Sequence, residues 1–452
     1  MPMCPRRPRP GRLLDTIVVP LLLLVFAGLA AYHYRRLDRT QVDSERMASA
    51  EELPDEPVNH MNDWPQWRGP NRNGVSTEAD ILTEWSAGGP MALWEQKTGA
   101  GFASVAVVKG RVFTIFQDGA SESVVAWDAE TSREIWRYSY QCAYTNSYGN
   151  GPRSTPSVDG DFVYTVGATG IMHCLKAFTK NPTGEKVWSK DLLKQFSASN
   201  PRWGVSFSPL VEGERVYIMP GGPDGNSLAA LNKRTGALVW KRHDDPTGYS
   251  SPVAATIHNE RQILFLTGSR LISVNPDTGD QLWDYPWPVE NERNIATPLV
   301  VKNYVFISSS YGKGCVKLEI DRDGEKMTPH HVYKNTRMRN HFSTCVRYKN
   351  HLFGFDDSTL TCMNFLTGKV EWKERGFDKG SVLRVNDRLI IYGANGILAL
   401  AEANPKVYVE MSRFQFSAQT RSCWSVPVVS NGRLYVRDQE KLVCFDVKAA
   451  SR

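Results

Sequence analysis

TGALVW, at Thr235–Trp240, returns along the chain as TGEKVW at Thr183–Trp188, TGDQLW at Thr278–Trp283 and TGKVEW at Thr367–Trp372. A degenerate copy, TSREIW, lies at Thr131–Trp136. Each copy is a turn, three variable residues and a tryptophan. Glycine takes positive φ without steric cost, and Asp128, Asn232, Asn275 or Asn364 just upstream can bond the turn's amides through its side chain. Each copy therefore reads as the bend of a β-hairpin whose second strand carries tryptophan.

Another hairpin pattern precedes it. STPSVDGDFVYTVG (Ser154–Gly167), SPLVEGERVYIMPG (Ser208–Gly221), TPLVVKNYVFISSS (Thr297–Ser310) and VPVVSNGRLYVRD (Val426–Asp438) set a two-residue turn between β-branched and aromatic runs. Two hairpins make a four-stranded antiparallel sheet. First strands start near Ser104, Thr155, Ser208, Ser251, Thr297, Thr344, Ser381 and Val426. Repeats of this kind, roughly 45 residues apart, predict an all-β, eight-bladed β-propeller, because one such sheet cannot bury both faces and radially packed blades can. The eighth unit ends at Leu442–Lys448 without its last strand, which MALWEQKTG (Met91–Gly99) supplies from the other end, closing the ring. Trp136, Trp188, Trp240, Trp283 and Trp372 are expected to dock one blade on the next. The segments Asp323–Thr328 and Ala403–Tyr408 lack the tryptophan, so their blades are expected to be looser at the rim.

The formal net charge of the 452 residues is +6, but +5 of it lies in the first 40, which hold seven arginines against Asp15 and Asp38. The body is near neutral, which excludes the broad positive footprint of a nucleic-acid-binding domain. Thr16–Tyr32 is uncharged and almost wholly apolar, near the lower length limit for a membrane span. Residues 13–34 are read as a transmembrane helix that anchors the protein to the inner membrane, with a cleaved signal peptide as the alternative. The arginine-rich residues 1–12 stay cytoplasmic by the positive-inside rule, which puts the body in the periplasm or another extracytoplasmic space. Residues 35–62 are a polar linker, 63–90 an extension that covers one face of the ring or plugs it, and 91–449 the propeller. The eight cysteines form no adjacent pair, CxxC or CxxCH, and most are expected to be isolated buried thiols.

The pattern Ala-x-Asp/Asn-x-x-Thr-Gly-x-x-x-Trp resembles the tryptophan-docking repeat of the quinoprotein alcohol dehydrogenase-like superfamily, which includes PQQ-dependent dehydrogenases and BamB. The resemblance covers residues 91–448. DWPQWRGPNRNGVS (Asp63–Ser76) and SYGNGPRSTPSVDGDFVYTVGATG (Ser147–Gly170) resemble exported bacterial PQQ-binding-like β-propeller repeat proteins. The resemblance implies either of two roles. One is a PQQ- and Ca²⁺-dependent oxidoreductase of alcohols or sugars, whose adjacent-cysteine disulfide and haem motif have no counterpart here. The other, taken as the expectation, is a non-enzymatic, BamB-like platform for envelope protein partners that needs no cofactor.

The loops leading into the first strands line a central funnel in a propeller. Repeat phase places Arg153, Trp203, Arg293, Arg339, Lys379, Arg421 and Trp424 there, a basic and aromatic mouth suited to an acidic small molecule, anionic glycan or acidic peptide. Ion pairing with neighbours such as Glu292 or Asp378 is the alternative role of the arginines, and packing between blades that of the tryptophans. His330 and His331 lack further converging ligands and DRDGE (Asp321–Glu325) lacks the rest of a Ca²⁺ loop, so no metal site is expected.

Overall fold

The structure, a computed structural model, describes residues 62–78, 81–418 and 423–449. The segment read as an anchor lies outside these residues, and no helix among the described residues is long and apolar enough to cross a membrane. Eight antiparallel four-stranded sheets follow one another. Blade I is built of Ala106–Val108, Arg111–Asp118, Ser121–Asp128 and Glu134–Gln141. Blades II to VIII begin with Ser157–Asp159, Leu210–Glu212, Val253–Ile257, Leu299–Val301, Val346–Tyr348, Gly380–Val385 and Val428–Ser430. Ala92–Lys97 pairs antiparallel with Lys441–Asp446 and completes blade VIII, so the expected ring closure is formed.

Burial follows position in the blade. The third strand of blade I, Ser121–Asp128, is buried on both faces between its neighbours, whereas in the outer strand Leu238–Arg242 only Trp240 is buried. The Ser or Thr that opens most units has a structural task, seen at four junctions. Ser104 N donates to Thr155 Oγ1 (3.0 Å), Thr155 N to Ser208 Oγ (2.9 Å), Ser208 N to Ser251 Oγ (2.9 Å) and Thr297 N to Thr344 Oγ1 (2.8 Å). Hydroxyls thus tie successive blades together where a proline or loop leaves backbone donors unpaired.

The rim explains the repeated Thr-Gly turn. Trp136 Nε1 donates to Ala177 O, Trp188 to Lys233 O, Trp240 to Pro276 O and Trp372 to Asn404 O, at 2.8–3.1 Å. Every acceptor lies just past the third strand of the following blade. Gly236 and Gly279, at φ +69° and +75°, lie under the preceding tryptophan so closely that a Cβ would meet the Trp188 and Trp240 rings at 2.8 and 2.5 Å. Turn and tryptophan are two halves of one contact between blades. Trp94, on the closing strand, docks in the same way on Ala129 O (3.0 Å).

Two blades depart from the pattern. In blade V the third and fourth strands, Gly314–Asp323 and Lys326–Asn335, are ten residues each, which moves the bend to Gly324 and removes the Thr-Gly landing site. Trp283 of blade IV therefore bonds Gln262 Oε1 of its own blade (2.9 Å). The expectation of a loose rim at these blades is corrected. Tyr333 takes the tryptophan position in blade V, packs on Gly368 and donates to Phe365 O (3.1 Å). In blade VII Ser412 stands there, and Trp85 of the extension covers it, with Trp85 N donating to Ser412 Oγ (2.9 Å).

The extension crosses the ring axis and reaches every blade. Trp64 pairs with Val107 of blade I, Val158 N of blade II donates to Pro65 O, and Trp67 Nε1 donates to Thr297 Oγ1 of blade V (3.0 Å). Val75–Ser76 adds a parallel strand to blade VII, and Ser76 Oγ donates to Val429 O of blade VIII. Arg68 donates to Thr344 O and Cys345 O of blade VI (3.0 and 2.9 Å). Arg72 donates to Ser208 O and Pro252 O (3.1 and 3.0 Å), to Pro209 O and to Ser157 Oγ, touching blades II to IV. Both are buried, and neither has a carboxylate partner among the described residues. Burial pushes them down to about 10 and about 9, so both stay charged at neutral pH.

Candidate functional site

Above this plug lies a cavity of about 800 Å³, the size that holds a small organic ligand. Trp67 contributes to its lining from the plug. The loop before blade II brings Tyr148 and Arg153, the next two Trp203 and Tyr249, and the loop before blade V Arg293. His341, Phe342, Asp378, Lys379 and Trp424 come from the loops before blades VI to VIII. Tyr311 comes from the turn between the second and third strands of blade V.

The aromatic side chains divide by use. Trp424 is stacked between Phe102 and Phe342, with centroids 4.9 and 4.8 Å away, so both of its faces are covered. Trp203 meets Tyr148 edge-on and Tyr249 at a tilt, and Arg202 lies over its ring. The cations divide likewise. Arg153 donates to Gly149 O (2.6 Å) and Gly151 O, which fixes its own loop, and burial lowers its guanidinium. Arg293 donates to Glu290 O and Glu290 Oε2 (2.9 and 3.1 Å) and lies 3.4 Å over the Tyr311 ring. Lys379 reaches His341 Nδ1 (2.9 Å) and Asp357 Oδ1 (3.1 Å), while His341 Nε2 meets Tyr311 Oη at 2.7 Å. Burial first, and then Lys379, push His341 down to about 4 against the opposing pull of Asp357.

Five of the seven residues placed at the mouth by repeat phase line this cavity: Arg153, Trp203, Arg293, Lys379 and Trp424. Arg339 does not. It is drawn to the buried Asp356, Nε to Oδ1 at 2.6 Å. Burial would raise that carboxyl, but hydrogen bonds from Arg339 and Lys373 hold it below its ordinary value. Arg421 lies outside the described residues. Repeat phase missed Tyr311, because only loops before first strands were considered; its signal was an aromatic residue in the turn SSSYGKG. It also missed Trp67, since nothing in the extension's own pattern says which side chain reaches the axis.

PQQ with Ca²⁺ requires an oxygen-ligand set for the metal and, in the dehydrogenases, a disulfide against the quinone. The lining residues do not fit it. Asp378 is the lone carboxylate among the described lining residues, and the seven described cysteines are buried free thiols. Among the described residues no three His, Cys, Asp or Glu side chains converge. His330 and His331 lie on the exposed outer strand of blade V, far in topology from the cavity.

Tryptophan-docked blades closed by an N-terminal strand around a ligand-sized cavity define a propeller of the PQQ-like-repeat class. The chain belongs to the family described as outer membrane protein assembly factor BamB, whose model matches residues 121–374, more than half of it. It is similar to the quinoprotein ethanol dehydrogenase of Pseudomonas aeruginosa, 26% identical over 163 residues, which is 32% of this chain and 25% of that protein. It is also similar to the tetrathionate hydrolase of Acidithiobacillus ferrooxidans, 24% identical over 131 residues, 28% of this chain and 25% of that protein. The chain thus spans about a quarter of the length of these curated relatives. Among solved structures, BamB from Moraxella catarrhalis superposes with a TM-score of 0.54 at 15% identity, covering 79% of this chain and 99% of that one. Sqt1 of Saccharomyces cerevisiae gives 0.55 at 12% identity, covering 80% and 100%. These likenesses show the fold.

Proposed function

We propose that the protein is a non-enzymatic binding propeller of the cell envelope, one that needs no cofactor and whose central cavity receives an acidic ligand. One observation carries the ligand class: Arg153, Arg293 and Lys379 line the cavity with N–H donors left over, against a single carboxylate, Asp378. Such a wall is complementary to an anionic small molecule or the acidic end of a glycan. Family membership supports a further role as a platform for envelope proteins, in the way an assembly factor's name implies. Residues 13–34 would hold the propeller to the inner membrane on its outer side, with residues 1–12 in the cytoplasm. The similarity to quinoprotein ethanol dehydrogenase favours a second reading, oxidation of alcohols or sugars with PQQ. The lining residues weigh against it.

Calorimetric titration of the full chain with a uronic-acid trisaccharide and its neutral counterpart tests the binding reading. The acidic sugar is expected to saturate and Trp203→Ala to weaken it. Saturable binding of PQQ with Ca²⁺, and of neither sugar, would move the conclusion to the oxidoreductase.

A further inference from the structure

We infer that Tyr311, Arg293 and Lys379 form a subsite for the oxyanion of a small organic ligand, a carboxylate, sulfate or phosphate, in the central cavity. This rests on the binding reading above. The argument is one of donors and acceptors. An ammonium has three donors and no acceptor, so His341 Nδ1, 2.9 Å from Lys379 Nζ, must be the acceptor in that contact. The imidazole is then neutral with its proton on Nε2, which donates to Tyr311 Oη across 2.7 Å. The tyrosine hydroxyl is occupied as an acceptor and its own proton is left to point elsewhere.

Three donors remain. Tyr311 has its O–H. Lys379 has one N–H beyond those given to His341 and Asp357. Arg293 engages Glu290 through Nε and Nη2, and its Nη1 bonds no described residue. All three side chains line the cavity, and the guanidinium 3.4 Å over the Tyr311 ring brings its charge beside the hydroxyl. Asp357 anchors Lys379 from behind and Glu290 anchors Arg293, so the donors are held before a ligand arrives. Preorganised donors without an acceptor of their own suit an oxyanion and reject a neutral hydroxyl less sharply placed.

The test is calorimetric titration of the full chain with glucuronate, glucose 6-sulfate, glucose 6-phosphate and glucose, which share a sugar body and differ in head group. At least one acidic sugar should bind about ten-fold tighter than glucose, and the tightest of the three names the oxyanion. Tyr311→Phe and Arg293→Gln should each remove about that ten-fold for acidic sugars and leave glucose unchanged. His341→Gln, which can accept from Lys379 and donate to Tyr311, should retain binding, whereas His341→Phe should lose it. Equal binding of acidic and neutral sugars, or acidic binding untouched by Tyr311→Phe, would overturn the subsite while the cavity remained a binding site. No saturation by any of the three acidic sugars would overturn it as well, and the trisaccharide titration would then decide the wider reading separately.

Discussion

Two sets of arginines face the centre of this ring, and they are used in opposite ways. In the plug, Arg72 engages all five of its N–H donors, with Gln66 Oε1 as the fifth acceptor, and Arg68 engages four. At the cavity, Arg153 and Arg293 engage two each. The plug arginines are buried, and five of their nine acceptors are ring carbonyls just before the first strands of blades III, IV and VI. The hydrogen bonds offset the desolvation of the charge and of the carbonyls together. The cavity arginines keep three of their five N–H donors uncommitted to any described residue. Number of engaged donors, not residue type or sign of charge, separates the plug cations from the cavity cations here.

The strongest way to break this comparison is to remove one arginine of each kind. Arg72→Met leaves the carbonyls of Ser208 and Pro252 without their Arg72 donor inside the ring, and Pro209 O with only the Ser157 hydroxyl. It should cost about 3–5 kcal/mol of stability, the range seen when a buried charged network loses a member. Arg293→Gln should cost less, about 1–2 kcal/mol, since it gives up the ion pair with the exposed Glu290, the Nε–H bond to Glu290 O and the stacking on Tyr311. Denaturant unfolding of both variants checks this. Equal losses would mean that the cavity arginines are as structural as the plug.

The next effect is smaller and separates the two regions by pH. The plug cations keep their charge throughout the acid range. His341, held down to about 4 at the cavity, does not accept the proton that the unfolded chain takes at its ordinary 6.5. Between those values the unfolded state binds more protons, so stability falls as pH drops from about 6.5 towards 4 and levels off below. The loss for this group is about 3 kcal/mol by linkage. Buried His173, also held at about 4, adds in the same direction, and Glu122, raised by burial, opposes. Asp245 and Asp356, lowered from 3.8, act only below that window. Melting temperatures of the wild type and His341→Gln from pH 7.5 to 4 should diverge, with the variant's acid slope flatter. Parallel slopes would show that His341 is not held neutral.

The rim was legible because each Thr-Gly…Trp copy encodes one contact locally: a glycine at positive φ beneath the preceding tryptophan. Where the hairpin lengthened in blade V the signal moved out of frame, and Tyr333 was invisible as a substitute because only its place opposite Lys317 identifies it. The cavity was legible in outline, since repeat phase brought five of seven named residues to one wall. It could not show which donors are engaged. Three of the five acceptors of Arg72 are main-chain carbonyls, which leave no trace in side-chain sequence. Arg339 and Arg293 looked alike for the same reason, yet a buried aspartate 17 residues away claims one of them.

That pair supplies the finest test. Arg339 sits in the same phase of the repeat as the cavity residues, but its Nε and backbone N–H both go to Asp356 Oδ1, and Lys373 takes the other oxygen at 2.8 Å. Replacing it by glutamine leaves a donor for Asp356 and removes nothing from the cavity wall. Affinity for acidic sugars should therefore change by less than about two-fold, against the ten-fold expected of Arg293→Gln. A long-range field would respond to both losses almost equally, because each removes one positive charge from the same end of the ring. Repeating the titrations at 0.5 M salt separates the cases further: screening should reduce a field effect in both variants, while the difference owed to Arg293's direct contact persists. Equal losses from the two substitutions would assign the acid preference to net charge around the mouth and not to the Tyr311 subsite.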